Sequence, residues 1–310
     1  MTEVYHLLYA HYVEDQEAMF RFNYSLSFLQ WALMAPGWKQ QWHVGVRVVT
    51  SRKLVAFISG IPVKLRVREN VLSASEINFL CVHKKLRSKR LTPVLIKEIT
   101  RRCNIEEVWN AIYTAGIILP KPVSTCRYFH RSINWQKLHE VGFSPLPSNS
   151  NKARQIAKYA LPTQTKTPGL REMDAKDLPQ VHNLLSRYLG KFDMAPQYDV
   201  DELGHWLLPK SGKERVIWAY VVEDPAASKI TDFFSFYALE SSVIGNKKHS
   251  TIRAAYLFYY ASETALDEGK TRKDTKIRLN ELMHDALILA KSVRHRKGDS
   301  AFEANLPSPL

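Results

Sequence analysis

The sequence predicts an α/β protein built from two similar halves. Helical and strand-like segments follow one another in the order helix, strands, helix, and this order occurs twice along the 310 residues. A polar stretch over 147–169, rich in Ser, Thr, Asn and Pro, separates the two runs and is typical of a linker. Apolar residues make up 45% of the chain, enough for a sizeable core. The predicted units are a first half over 1–150, a linker over 151–169, a second half over 170–291 and a tail over 292–310.

Helices are predicted where apolar residues recur at three- and four-residue intervals. In 177–189 such residues share one face, and in 91–102 they alternate with lysine, arginine and glutamate. A charged stretch over 263–278 has weak periodicity and predicts a surface insertion. The predicted helices are 4–12, 27–33, 91–102, 177–189, 201–208 and 279–291.

Strands are predicted in apolar runs that are rich in β-branched or aromatic residues and bounded by turn residues. The turn at 51–53, between two such runs, indicates a β-hairpin in the first half. The segment 15–22 is predicted as a loop. The predicted strands are 42–49, 54–62, 63–67, 76–82, 109–119, 216–223, 231–239 and 254–260.

The chain is strongly basic. Its 44 Lys and Arg residues against 30 Asp and Glu give a formal net charge of +14. Such a field favours an anionic partner, for example nucleic acid, a phosphate-rich cofactor or an acidic membrane surface. The cationic residues concentrate in 83–102, with a shorter cluster at 294–297.

The three cysteines, Cys81, Cys103 and Cys126, are sparse and lack metal-ligand spacing. They argue against a disulfide framework and against a structural zinc site, and predict reduced thiols in a cytoplasmic protein. We expect no bound metal and no tightly bound cofactor. We also expect no membrane span and no secretory signal, because the chain has no long apolar run.

The segment 76–96 suits the binding of a large phosphate ester. An apolar strand leads into a short loop dense in cations, and a helix follows. Backbone N–H groups at a helix N-terminus, next to Ser88, Lys89 and Arg90, form a site for a pyrophosphate.

The strand before this loop offers a second feature. If a bulge interrupts its pairing, the amides of Phe79 and Leu80 can polarise a thioester carbonyl. The two features together would hold an acyl-CoA, with its phosphates at the helix and its thioester at the strand. Composition alone favours a simpler interpretation, a basic surface helix that follows a core strand.

The segment 76–96 closely resembles the signature of eukaryotic N-myristoyltransferases, the glycylpeptide N-tetradecanoyltransferases. The resemblance extends over most of residues 3–291. Further segments similar to that family are 12–15, 19–22, 42–49, 113–116, 119–122, 126–132 and 231–237.

The resemblance implies a fold of two fused acetyltransferase-like (GNAT) halves, with mixed sheets and flanking helices. It also implies transfer of myristate from myristoyl-CoA, as co-substrate, to the α-amine of an N-terminal glycine. The implied partners are proteins or nascent chains with such a glycine, and the basic regions suggest contact with ribosomes or anionic surfaces. A cytoplasmic monomer is expected.

The same resemblance implies roles for individual residues. The implied catalytic residues are Asn78, Phe79, Leu80 and Thr114. The implied acyl-CoA contacts are Phe79, Leu80, Cys81, Val82, Ser88, Arg90, Leu91 and Thr92. The implied peptide-groove residues are Tyr12, Glu14, Asp15, Phe20, Phe22, Gly116, Tyr128, His130, Ser235 and Tyr256.

Several of these residues have plain alternatives. Phe20 and Phe22 are typical packing residues, His130 is typical of a structural histidine, and Tyr128 and Tyr256 are typical of tyrosines at a core edge. Their joint occurrence with the signature favours the functional interpretation.

The sequence departs from the family pattern in four places. Thr92 stands where alanine is common, and Gln16 replaces an acid of the loop that attracts basic peptide residues. Family members have an acyl-CoA-contacting segment before the position of Glu3. They also continue past Lys291 to a terminal carboxylate that acts as the base, whereas residues 292–310 do not resemble that segment. We therefore expect an incomplete second half, weak myristoyl-CoA binding, slow or absent turnover and reduced stability.

Two other functions stay open at this point. One is a non-catalytic module that binds acyl-CoA, RNA or an anionic membrane through its basic face. The other is a related acyltransferase with a different acyl length or acceptor.

Overall fold

The computed structural model describes residues 1–15, 17–117, 119–210, 212–295 and 303–307. Gln16, most of the tail and the second half of the basic cluster at 294–297 therefore lie outside the described residues. The described α-helices are α1 (Thr2–His11), α2 (Leu26–Leu33), α3 (Leu91–Ile105), α4 (Trp135–Glu140), α5 (Lys152–Lys158), α6 (Leu178–Leu189), α7 (Val200–Leu207) and α8 (Arg272–His295). The described strands are β1 (Phe20–Asn23), β2 (His43–Arg47), β3 (Leu54–Val67), β4 (Asn70–Val82), β5 (Asn110–Ile112), β6 (Tyr128–Ser132), β7 (Leu170–Glu172), β8 (Met194–Pro196), β9 (Ile217–Asp224), β10 (Lys229–Val243), β11 (Thr251–Ser262) and β12 (Glu303–Pro307).

The strands form two sheets, one for each predicted half. The first has the order β2-β3-β4-β5, with β8 beside β3. The second has the order β6-β12-β11-β10-β9-β7, with β1 beside β10. Strands β1 and β6 of the first 150 residues thus complete the second sheet, and β8 completes the first. The halves exchange strands, and the domain boundaries themselves stay a prediction.

Helices cover both faces of each sheet. In the first sheet, α3 packs on the face that carries Ile58 and Val82, and α1 and α2 pack on the face that carries Phe57 and Cys81. In the second sheet, α8 packs on the face that carries Trp218, and α6 and α7 pack on the opposite face. The cluster under α1 and α2 also includes Ile217 of the second sheet, so it joins the halves.

Local signals in the sequence explain where several helices begin. The Ser25 side chain accepts a hydrogen bond from the Phe28 N–H and caps α2. Asp199 and Glu202 form a capping box at the start of α7. These side chains satisfy backbone N–H groups that have no partner inside the first turn.

Three differences from the predicted elements have clear causes. Residues 54–67 form one strand rather than two. Pro62 pairs with Ser75 of β4 on one side only, and on the other side it lies between the residues that pair with β2 and those that pair with β8, where a strand tolerates a proline. The prediction of a strand over 109–119 is wrong beyond Ile112, where the pairing with β4 ends. The predicted insertion over 263–278 is also wrong, since it contains the start of α8, and Arg278 is anchored to buried Asp232 at 2.7 Å.

Three segments predicted without regular structure are partly ordered. Residues 20–22 of the predicted loop over 15–22 belong to β1, which pairs with β10. Helix α5 lies inside the predicted linker, and its first turn is capped by Asn151. In the predicted tail, 292–295 continue α8 and 303–307 form β12, which runs parallel to β11 and antiparallel to β6. In the described part of the chain no helix combines the length and apolarity needed to cross a membrane.

We expect Asp285→Ala to lower the free energy of unfolding by about 1 to 3 kcal/mol. Asp285 is 1% exposed, and its oxygens accept hydrogen bonds from the N–H groups of Lys166 (3.0 Å) and Thr167 (2.9 Å). Alanine leaves both donors without an acceptor, which detaches the linker from α8. Urea unfolding measures the change, and Glu281→Ala on the same helix, at an exposed ion pair, serves as the control. If the two substitutions lowered the free energy of unfolding equally, the proposed stabilisation of the linker by Asp285 would be contradicted.

Candidate active site

Strand β4 is interrupted at the two residues singled out in the sequence. Its register with β3 pairs Phe57 with Cys81 and then Ser59 with Asn78, so Ile58 lies opposite both Phe79 and Leu80. Two residues against one define a β-bulge, in which the ladder of hydrogen bonds is broken. The structure therefore has the bulge that the acyl-CoA hypothesis requires.

The backbone of Phe79 is strained. Its φ is +56°, in the left-handed region that side chains with a Cβ rarely adopt. Phe79 is nevertheless 8% exposed, and its ring packs against those of Tyr12 and Tyr24 at 6.1 and 5.1 Å between centroids. Strain of this kind persists only where the surroundings enforce it, and it is concentrated at functional sites.

The bulge also changes which way the strand faces. Ile77 and Leu80 pack on the α3 side of the sheet, whereas Phe79 and Cys81 pack on the side of α1 and α2. By alternation from Ile77, Asn78 lies on the same side as Phe79. The peptide groups around the bulge therefore border the region between the first sheet and α1 and α2.

The cationic turn follows directly after β4. Lys84–Lys89 form a 3₁₀ turn, and Arg90, with φ +55°, precedes α3. The first turn of α3 has no acidic residue and no side-chain cap, so its N–H groups are available to an anion. Ser88 and Arg90 are exposed, and Leu91 and Thr92 are half-buried. The structure thus brings these four predicted acyl-CoA contacts to one helix end.

Two cations of the turn are engaged within the protein. Lys84 donates to the Glu14 carboxylate at 2.6 Å, and Arg87 donates to the carbonyl of His11 at 2.8 Å. By contrast, the side chains of Lys85, Lys89 and Arg90 have no ion-pair partner among the described residues. These three side chains are therefore available to bind a phosphate.

Cys81 and Val82 are buried in the sheet, 3% and 8% exposed. Burial raises the pKa of the Cys81 thiol to about 12, so the group is a neutral thiol at physiological pH. Both residues can meet a ligand only through their backbone.

The acidic loop that contains Glu14, Asp15 and Glu17 is partly engaged in contacts within the chain. Glu14 accepts hydrogen bonds from Lys84 and from Arg21, and these contacts hold the pKa of its carboxyl below the usual range. Asp15 is exposed, and its Oδ1 accepts a hydrogen bond from the Phe20 N–H at 2.7 Å. The charge of Glu14 is therefore already balanced inside the chain, and Asp15 and the exposed Glu17 of the same loop remain to attract a basic peptide.

A cluster of tyrosines lies beside the bulge. Tyr12 contacts Tyr24 at 5.7 Å, Phe22 contacts Tyr24 at 5.8 Å, and Tyr237 stacks on Tyr256 at 5.3 Å with an interplanar angle of 4°. Burial and the nearby phenols raise the pKa of Tyr24 well above its usual value. Three predicted groove residues, Tyr12, Phe22 and Tyr256, are thus gathered here.

Sequence reasoning missed Tyr24 and Tyr237. Tyr24 was detectable, because it continues the alternation of Phe20 and Phe22 along the chain. Tyr237 was not, because its position depends on the antiparallel register that places it opposite Tyr256.

The other predicted peptide contacts have different surroundings. Phe20 and His130 each contact Phe143, at 5.6 Å between ring centroids. Ser235 is fully buried, and its hydroxyl donates to the Tyr259 carbonyl at 2.9 Å and accepts from the Tyr259 N–H at 3.1 Å. Ser235 therefore bridges β10 and β11 where their register shifts, and its hydroxyl does not lie at the groove surface. Tyr128, two residues before His130 on β6, is 66% exposed, and it lies close enough to the tyrosine cluster to contribute to the raised pKa of Tyr24 and of Tyr237, after burial.

Asn78 lies on β4 and Thr114 lies just beyond the end of β5, the strand that runs parallel to it. The register pairs Glu76 with Ile112, and Asn78 and Thr114 each follow two residues later. Thr114 and Gly116 are exposed on the segment after β5. The Asn78 amide donates to the Glu76 carboxylate at 2.9 Å.

We expect the free energy of unfolding to fall less with decreasing pH in the His11→Gln variant than in the parent chain. Burial first, and then the neighbouring charges of His83, Lys84, Lys53 and Arg21, lower the pKa of His11 from 6.5 to about 4. Between these pH values the unfolded chain binds a proton at His11 and the folded chain does not. The free energy of unfolding therefore falls as the pH drops through this window, and the contribution is constant below it.

Urea unfolding of both chains from about pH 7 to about pH 4 measures this effect. The glutamine chain is expected to show the shallower pH dependence. If the free energy of unfolding depended equally on pH in the two chains, the half-buried, neutral state of His11 would be contradicted.

Two family profiles match the chain. The profile described as "Myristoyl-CoA:protein N-myristoyltransferase, N-terminal domain" matches residues 1–126, and the one described as "Myristoyl-CoA:protein N-myristoyltransferase, C-terminal domain" matches residues 140–296.

Curated relatives named "Glycylpeptide N-tetradecanoyltransferase" are similar over nearly the whole chain. The protein of Neurospora crassa is 62% identical over 293 residues, which is 94% of this chain. That of Emericella nidulans is 61% identical over 297 residues, or 95% of this chain. The chain covers 51% and 60% of these two relatives, so it spans about half to three-fifths of their length.

A solved structure supports the same relationship. The chain superposes on "Crystal structures of Saccharomyces cerevisiae N-myristoyltransferase with bound myristoyl-CoA" with a TM-score of 0.92 and 49% identity, covering 98% of this chain and 70% of that one. The match confirms the predicted α/β fold of two acetyltransferase-like halves. With both profiles matched and more than three-fifths of the aligned residues identical to those of these two fungal relatives, the chain belongs to the myristoyl-CoA:protein N-myristoyltransferase family.

Proposed function

We propose that the chain transfers the myristoyl group of myristoyl-CoA to the α-amine of an N-terminal glycine. The observation that carries this proposal is the bulge at Phe79–Leu80 directly before a cationic turn and an uncapped helix end. A thioester needs donors for its carbonyl oxygen, and a pyrophosphate needs cations and N–H groups. One continuous segment of this chain supplies both.

In this proposal the acyl-CoA lies along that segment. The N–H groups of Phe79 and Leu80 donate to the thioester oxygen, while Ser88, Arg90 and the first turn of α3 bind the phosphates. Lys85 and Lys89 add positive charge. The solved yeast relative has bound myristoyl-CoA, which supports this choice of ligand.

The acceptor peptide would enter along the tyrosine cluster, with its amine between Asn78 and Thr114. The neutral amine attacks the thioester carbon, the new C–N bond forms and the C–S bond breaks. The CoA thiol leaves, and the proton of the amine passes to a base. The growing negative charge on the oxygen is stabilised at the bulge, where the donors are already in place.

An acyl-transfer assay tests the proposal. The full chain is incubated with myristoyl-CoA and a peptide that begins with glycine, and a peptide that begins with alanine serves as the matched control. We expect the glycine peptide alone to gain the mass of a myristoyl group, and acetyl-CoA to replace myristoyl-CoA poorly. The expected slow turnover is a prediction that the same assay measures.

Failure of the chain to bind myristoyl-CoA, together with RNA binding that weakens steeply with salt, would contradict the proposal. Transfer that prefers a short acyl chain would instead indicate a different acyltransferase. A cytoplasmic location, a monomeric state and contact with ribosomes or anionic surfaces stay predictions.

A further inference from the structure

Glu76 lies at the centre of the candidate site and has no assigned role. It precedes Asn78 by two residues on β4, so the two side chains lie on the same face of the strand. The Asn78 Nδ2 donates to Glu76 Oε1 at 2.9 Å. Because a carboxylate only accepts hydrogen bonds, this contact fixes the orientation of the Asn78 amide and leaves its oxygen available to an incoming donor.

The charge of Glu76 is unusually unbalanced. Glu76 is half-buried and has no lysine or arginine partner among the described residues. Every other half-buried or buried carboxylate in the described ranges either pairs with a lysine or arginine, as Glu14 and Asp232 do, or accepts from backbone N–H groups, as Asp285 does. A partly desolvated carboxylate without a counter-charge is costly, and here it occurs in a chain of net charge +14.

Glu76 also borders the tyrosine cluster. Its charge raises the pKa of the phenols of Tyr198, Tyr237 and Tyr259, although burial is the larger cause for each. Tyr237 belongs to the stacked pair beside the bulge, and Tyr198 and Tyr259 join their hydroxyls at 3.0 Å. The carboxylate therefore has neutral tyrosines in its vicinity, and these do not compensate its charge.

The acceptor of the proposed reaction carries the missing charge. An α-amine has a pKa near 8, so at neutral pH it arrives mostly as an ammonium ion. A cationic protein repels this ion, and a half-buried groove removes part of its water. An anion inside the groove offsets both effects, and a charge-assisted hydrogen bond to a carboxylate orients the ammonium nitrogen.

We propose that Glu76 is the ammonium-binding residue of the acceptor site: its carboxylate receives the N-terminal ammonium of the peptide and holds it against the Asn78 amide oxygen, before the amine loses its proton and attacks. This inference rests on the proposed function. It makes the chain select peptides with a free, charged N-terminus, independently of the side chains that follow.

Glu76→Gln isolates the charge, because the glutamine carbonyl still accepts from Asn78. Binding of two peptides is measured by calorimetry to the full chain saturated with an unreactive myristoyl-CoA analogue, in which a methylene separates the carbonyl from the sulfur. One peptide begins with glycine. The other begins with hydroxyacetyl, which replaces the ammonium by a hydroxyl of similar size.

We expect the parent chain to prefer the ammonium peptide by about tenfold or more, as for a hydrogen bond between charged groups. Glu76→Gln is expected to remove this preference without changing the affinity for the analogue, and Glu76→Asp to retain part of it. Glu69→Gln, at the exposed tip of the same hairpin, is expected to keep the full preference.

A preference that survives Glu76→Gln would overturn the inference and leave the proposed function intact. Equal binding of the two peptides to the parent chain would overturn it as well, without any need for a variant. A parent chain that binds neither the analogue nor either peptide would overturn the proposed function itself.

Discussion

Phe79→Gly is expected to give a more stable protein than Phe79→Ala. Both substitutions remove a buried ring, and alanine is expected to lower the free energy of unfolding by about 3 to 5 kcal/mol. Glycine normally costs more than alanine within a strand. At Phe79 the order reverses, because φ is +56° and a Cβ is disfavoured there by about 1 to 2 kcal/mol.

Denaturant unfolding of the two variants measures the difference directly. Cys81, two residues along the same strand, is the matched control: it is equally buried, its φ is not positive, and it pairs in register with Phe57. There the alanine variant is expected to be the more stable one. A less stable glycine variant at Phe79 would contradict the strained bulge.

Replacing the Phe79–Leu80 amide by an ester is expected to slow myristoyl transfer by about 10²- to 10³-fold. Incorporation of the α-hydroxy analogue of leucine at position 80 keeps the side chain and removes only the N–H. The lost hydrogen bond matters most when the carbonyl oxygen carries negative charge. Binding of myristoyl-CoA should therefore weaken far less than the rate falls, as single-turnover and binding measurements can show.

The same backbone change at Leu72 is the control, since Leu72 pairs in regular register with Leu65 and the same hydroxy acid replaces it. An ester there disturbs the sheet without touching the bulge. Equal rate losses at the two positions would mean that damage to the sheet, and not loss of an oxyanion donor, slows the reaction.

Much of the fold could be predicted from local patterns. Helix α6 has apolar residues at helical spacing, and strands β9 and β10 contain apolar runs rich in β-branched and aromatic residues. The segment 263–278 misled because its charged residues hide the start of α8. The first turns of α8 are stabilised by long-range contacts, such as the one between Arg278 and Asp232, and no local sequence pattern reveals such contacts.

The acyl-CoA side of the site was more predictable than the acceptor side. The bulge, the turn and the helix end are contiguous in the chain, so 76–96 contains them all. The acceptor side depends on strand register: Tyr237 meets Tyr256 across β10 and β11, and Ser235 is drawn into the sheet. The role of Glu76 could not be predicted from the sequence, because its lack of a cationic partner among the described residues is a property of the folded chain.

The central claim is that the amides of Phe79 and Leu80 hold the thioester carbonyl. Isotope-edited infrared spectroscopy of myristoyl-CoA with a ¹³C-labelled thioester carbonyl tests it most directly. On binding, the carbonyl stretch is expected to move below its position in water, because two fixed donors act on it in a region of low dielectric. The ester at position 80 should reverse part of that shift. A bound carbonyl that absorbs as in an apolar solvent, and does not respond to the ester, would contradict the account.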